Sequence, residues 1–130
     1  MIKNRKKRRK KMKVRELLSS MIALVEDVVG YPIEIHWYDI DNDAAVAGRD
    51  EILIGTFDDP EWEMAAVAHE LGHIIDFNNA YRNTSSKYDK EYVAWYYAKF
   101  ILRAVGVSWN DNIEAYKTRC LSTYLEGDEK

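Results

Sequence analysis

The sequence predicts an α+β domain, and three observations carry that prediction. Apolar residues recur at helical spacing in four separate stretches. Three short segments between the first and second of these are rich in β-branched and aromatic residues. Glycines, prolines and acidic turns punctuate the boundaries. The expected order is αβββααα, with an N-terminal helix, a short three-stranded antiparallel or mixed sheet, and three further helices.

From Val14, apolar residues fall at 14, 17, 18, 21, 25 and 28, one stripe of a helix. Gly30 tolerates a left-handed cap and Pro32 cannot continue the helix, so the two end it. Ile33-Glu34-Ile35-His36-Trp37-Tyr38 reads as a strand. Ala44–Ala47 and Glu51–Gly55 read as two more, joined in a hairpin around Gly48-Arg49-Asp50. Asp59 is the expected N-cap of the next helix and Pro60 its first residue, with the helix reaching about Asn79. After a polar loop over Tyr81–Ser86, a helix is expected from about Tyr88 to Val105, where Gly106 stops it. Ser108 is the expected cap of a last helix through about Leu125. On that helix Trp109, Ile113, Tyr116, Cys120 and Tyr124 form a packing stripe.

The chain has 130 residues, 47% hydrophobic and 32% charged, which excludes collagen-like and wholly disordered classes. The net charge of −3 conceals an asymmetry, since residues 1–15 hold ten Lys or Arg and no acid. The remaining 115 residues hold nine basic residues and all 22 acids, a net of −13. Residues 1–13 are therefore expected to be a disordered basic tail that offers a weak contact to nucleic acid, ahead of one domain over 14–130. No apolar run is long enough for a membrane helix. Leu17–Val25 is bracketed by Glu16, Glu26 and Asp27 and lacks a small-residue cleavage site, which argues against export. The lone Cys120 excludes an internal disulfide framework and fits a cytoplasmic setting; it reads as a small buried hydrophobe.

The chemistry lies in His69-Glu70-Leu71-Gly72-His73, an H-E-x-x-H pentad inside an expected helix. Residues four apart lie one turn apart on nearly the same face, so His69 and His73 can converge on one Zn²⁺. Glu70 projects about 100° away and can act as general base toward an attacking water. The main apolar stripe of this helix, Met64, Val67, Leu71, Ile74 and Ile75 with Asn78, faces away from the histidines. A hydrolytic zinc site takes three protein ligands. Position 79 is Asn79, so no third histidine follows at the metzincin spacing. Glu91 is the best third ligand, because it shares a helical face with Ala94, Ala98, Ile101 and Val105, where a lone carboxylate is costly unless bound. Asp76, on the histidine face, can accept a hydrogen bond from an imidazole and orient it.

The pentad, followed by Glu91-Tyr92-Val93-Ala94 and Ala98-Lys99-Phe100-Ile101-Leu102, resembles the ImmA/IrrE group of small bacterial and phage zinc metallopeptidases. These are gluzincins, and the resemblance covers roughly residues 14–105. It implies a zincin-like fold, the ligands His69, His73 and Glu91, and Glu70 as base. It also implies a protein substrate, in phages and mobile elements often a helix-turn-helix repressor. No helix-turn-helix or long C-terminal domain is recognisable in this chain.

Other readings have weaker support. A deformylase would need a Cys ligand upstream of the pentad, and Cys120 lies downstream. A zincin-fold module that only sequesters a partner protein has no need of Glu70. Asp39–Asp50 imitates an EF-hand loop, but position six is Ala44 instead of Gly and the flanks read as strands, so a solvated acidic turn is expected. Tyr81, Tyr88 and Tyr92 are positional candidates for a single oxyanion donor, and the sequence does not choose among them. His36 reads as a surface histidine, and the strand Glu51–Gly55 as an edge open to an extended substrate.

Overall fold

A computed structural model of the chain describes residues 2–38, 45–78 and 87–128, with side chains described from Lys13 onward except in 39–46, 79–88 and 124–130. The architecture is α+β. In chain order it comprises α1 (Ile2–Val29), β1 (Glu34–Trp37), β2 (Ala45–Ala47), β3 (Glu51–Ile54), α2 (Pro60–Phe77), α3 (Lys87–Ala104) and α4 (Asp111–Asp128). Asp39–Ala44 of the acidic turn and the polar loop 79–86 lie outside the described residues.

The basic segment 2–13 continues α1 as helix and is not an extended arm. Lys and Arg are good helix formers, and each residue added to an existing helix gains a hydrogen bond without a new nucleation cost. Val14, Leu18, Met21 and Val25 bury one face of α1, while Val28 is exposed. Gly30 and Gly106 close α1 and α3 at φ of 84° and 85°. The Val107 N–H donates back to the Leu102 carbonyl at 2.9 Å, completing the second of these caps.

The sheet order is β1-β3-β2, with β1 parallel to β3 and β2 antiparallel to it. The strand expected at an edge, β3, is therefore central, and β1 and β2 form the edges. Burial explains the choice. Ile52 and Ile54 on β3 are fully buried, whereas β1 carries exposed Trp37 and the exposed residue Tyr38 follows it.

Helix α2 is the hub, packing against α1, α3, α4, β2 and β3. Its periodicity predicts one buried stripe, yet every residue from Met64 to Gly72 is buried, His69 included. Asp59 caps it by accepting from the Glu61 and Trp62 N–H groups. Helix α4 starts at Asp111 and is capped by Asn110, whose side chain accepts from Ile113 N–H at 2.9 Å; Ser108 is not the cap. Asn112 ties the two helix starts together. It donates to Asp59 and Glu61 and accepts from the Trp62 indole, each at 2.9 Å.

Asp59→Ala removes the α2 cap and one acceptor of Asn112 together. It should cost about 1–2 kcal/mol in chemical denaturation. Asp58→Ala, at an exposed position without a cap, should cost less than about 0.5 kcal/mol.

Candidate metal centre

The site is built where α3 crosses α2. A Cβ placed on Gly72 would overlap the Ala94 carbonyl oxygen and lie 2.9 Å from the Ala94 carbonyl carbon. The two backbones therefore touch, and only glycine fits between them. Glu91 lies on the same face of α3 one turn before Ala94, so this close approach carries its carboxylate to the two histidines of α2.

Glu91 spans both imidazoles. Its Oε2 is 2.6 Å from His69 Nε2 and its Oε1 is 2.9 Å from His73 Nε2. Glu70 lies on the other side of His69, with Oε1 3.2 Å from Nδ1. One ligand atom each from His69, Glu70 and His73 lie within 4.8 Å of one another. His69, Glu70 and Glu91 side chains are only 8–9% exposed, while His73 is 23% exposed, so the site opens on the His73 side. Two imidazole nitrogens and the Glu91 carboxylate form a donor set of the kind Zn²⁺ takes, with His69 and Glu91 buried and His73 partly exposed.

Burial pulls the His69 imidazolium down, but hydrogen bonds to Glu70 and Glu91 and their charges outweigh it and raise its pKa to about 9. Burial pushes the Glu91 carboxyl up, yet the hydrogen bonds and charges of His69 and His73 bring it down to about 2. Without metal, the centre is thus a buried imidazolium between two carboxylates.

An aromatic layer outside the H-E-x-x-H motif backs the site. Trp95 stacks on His69 with centroids 4.4 Å apart and planes at 12°. It is fully buried and edged by Trp109 and Tyr116. Its position four residues after Glu91, on the same helical face, is the signal that could have found it. Tyr116 of α4 is buried; burial raises its hydroxyl, reinforced by Cys120 and the Glu70 charge, so it stays protonated.

The structure thus brings His69, His73, Glu70 and Glu91 together, and Asp76 is buried one turn beyond His73. Tyr92 is 53% exposed, and its ring lies 5.8 Å from the Lys117 ammonium. Tyr81 and the Tyr88 side chain lie outside the described residues. His36 is on the sheet surface between Glu34 and Glu51, at 3.3 and 3.6 Å. Cys120 packs against the core, and burial raises its thiol. Comparison with protein-family models, with curated proteins and with solved structures finds no match.

Gly72→Ala should force α2 and α3 apart. A loss of about 1–3 kcal/mol in stability is expected, with metal affinity falling by about tenfold or more, read by denaturation and metal titration. The pH dependence has a defined sign. The raised His69 contributes stability that is complete below 6.5 and lost as pH rises through about 9. The depressed Glu91 contributes stability that is complete above 4.5 and lost as pH falls through about 2. The pair therefore stabilises the metal-free protein most between pH 4.5 and 6.5. Since a ligating imidazole must be neutral, zinc uptake at pH 7 should release a proton from His69. Affinity should climb by about tenfold per pH unit toward 9. Calorimetry in two buffers of different ionisation enthalpy measures this, and equal heats would contradict it.

Proposed function

We propose that the chain is a zinc-dependent endopeptidase of the small gluzincin type, acting on a protein substrate as the ImmA/IrrE-like motifs suggest. The observation that supports it most is the convergence of His69 Nε2, His73 Nε2 and the Glu91 carboxylate from two different helices. A chance H-E-x-x-H has no reason to meet a buried carboxylate there. In this reading His69, His73 and Glu91 hold the ion. When bound, zinc would supply Lewis acidity toward the scissile carbonyl. Glu70 takes a proton from the attacking water and returns it to the departing amine. Trp95 holds the His69 ring against its face, and Asp76, buried one turn beyond His73, is the candidate acceptor that would orient a histidine. Edge strand β2, which packs beside α2, is the strand offered to an extended substrate, in place of β3.

A helix-turn-helix repressor is the substrate class the resemblance points to, met in the cytoplasm. The basic start of α1 would supply a weak contact if that substrate is bound to nucleic acid. Among the described residues, no helix is long and apolar enough to cross a membrane.

The protein should take up about one zinc per chain, and His69→Ala or His73→Ala should abolish uptake. Glu91→Gln should weaken uptake far more than Asp89→Asn. Glu70→Gln should keep zinc while slowing cleavage by about 10²–10⁴-fold. Retained zinc in Glu70→Gln with an undiminished cellular effect on the partner protein would favour sequestration over cleavage.

A further inference from the structure

Helix α3 has two unlike faces. Its inner face, with Glu91, Ala94, Trp95, Ala98 and Leu102, is buried. Its outer face carries Tyr92, Tyr96 and Phe100 at successive four-residue intervals, and these are 53%, 55% and 52% exposed. Tyr96 and Phe100 meet edge to face at 5.0 Å. Beside them a groove of about 470 Å³ runs between α3 and the 106–109 segment, lined by Tyr96, Lys99, Phe100, Arg103 and Trp109 among others. Large aromatic side chains left in one exposed row, next to a concave surface, mark an interaction site more often than a solvated face.

We propose that this outer face of α3 docks an acidic polypeptide segment that carries large apolar side chains. Charge complementarity selects that occupant. Among the described residues the groove lining includes the cations Lys99 and Arg103 and no acid. Lys99 and Lys117 both lie over the Trp109 ring, at 5.2 and 5.8 Å. Glu114, at the rim, is engaged by the Trp109 indole N–H at 2.6 Å and by Lys117 at 3.9 Å. This is a cationic, aromatic island on a body whose residues 16–130 carry a net charge of −13. A long polyanion such as nucleic acid would gain three cations here and meet the repulsion of the rest of the domain. A short segment needs only the island, with an apolar side chain in the groove and carboxylates on Lys99 and Arg103. Tyr92, Tyr96 and Phe100 lie on the exposed side of α3, while Glu91 and Trp95 lie on its buried side, so the inference holds whether or not the protein cleaves what it docks.

The test uses the intact protein and a phage-displayed library of random peptides about twelve residues long. Selected peptides should carry net negative charge and at least one large apolar residue, and should bind more weakly as salt rises. Fluorescence anisotropy should show a loss of about tenfold or more in the double variants Lys99→Glu/Arg103→Glu and Tyr96→Ala/Phe100→Ala. These positions are exposed, and unchanged circular dichroism and melting would confirm that the variants fold. Basic or purely polar peptides, or binding equal in parent and variants, would overturn the proposal. So would tighter binding of single-stranded oligo(dT) through the same residues, or self-association of the parent chain that the aromatic variant removes.

Discussion

Between Gly72 and Ala94 no side chain separates the backbones of α2 and α3. That contact sets the distance from Glu91 to the two imidazoles, and therefore whether three donors share one point or face each other across a gap. A methyl group at 72 would have to displace peptide backbone, and backbone in a packed helix pair cannot yield locally. The glycine inside the pentad is thus a structural requirement of the site, although it touches neither the imidazoles nor the carboxylates.

The close approach also places charge where water is scarce. A lone buried carboxylate or imidazolium would be expensive. Here Glu91 receives both imidazoles, and His69 is held in its plane by Glu70 and Glu91 and on its face by Trp95. The metal-free centre is therefore a satisfied cluster, and a metal ion must compete with the proton that the two carboxylates retain on His69. Affinity and pH are linked for that reason.

Helix α3 divides the molecule's roles between its sides. Its inner side supplies the carboxylate and the stacking indole, and its outer side presents aromatics and cations to solvent. Helix α4 braces the arrangement. Its Tyr116 and the Asn110–Asn112 cap network grip the start of α2, so the hub helix is held at its first turn as well as at the crossing.

What the sequence determined by itself was local. Asp59 before Pro60, and glycines at 30 and 106, mark helix ends because capping depends on neighbours a few residues away. The i, i+4 spacing of His69 and His73 likewise follows from the turn of one helix. Even Glu91 was legible, since a carboxylate on an apolar helical face calls for a partner. Tertiary structure decided the rest. Ser108 and Asn110 are both capping residue types, and the contacts of the Asn110–Asn112 segment with the α2 start select Asn110. Strand periodicity shows which side chains share a face but not which strand takes the middle of a sheet, so β3 could be read as an edge. The periodicity of α2 shows one apolar stripe, and only the packing of α3 and α4 covers its histidine side. Trp95 reaches His69, and Tyr116 packs behind Trp95, from helices whose relative placement depends on contacts far apart in the chain, which no local pattern encodes.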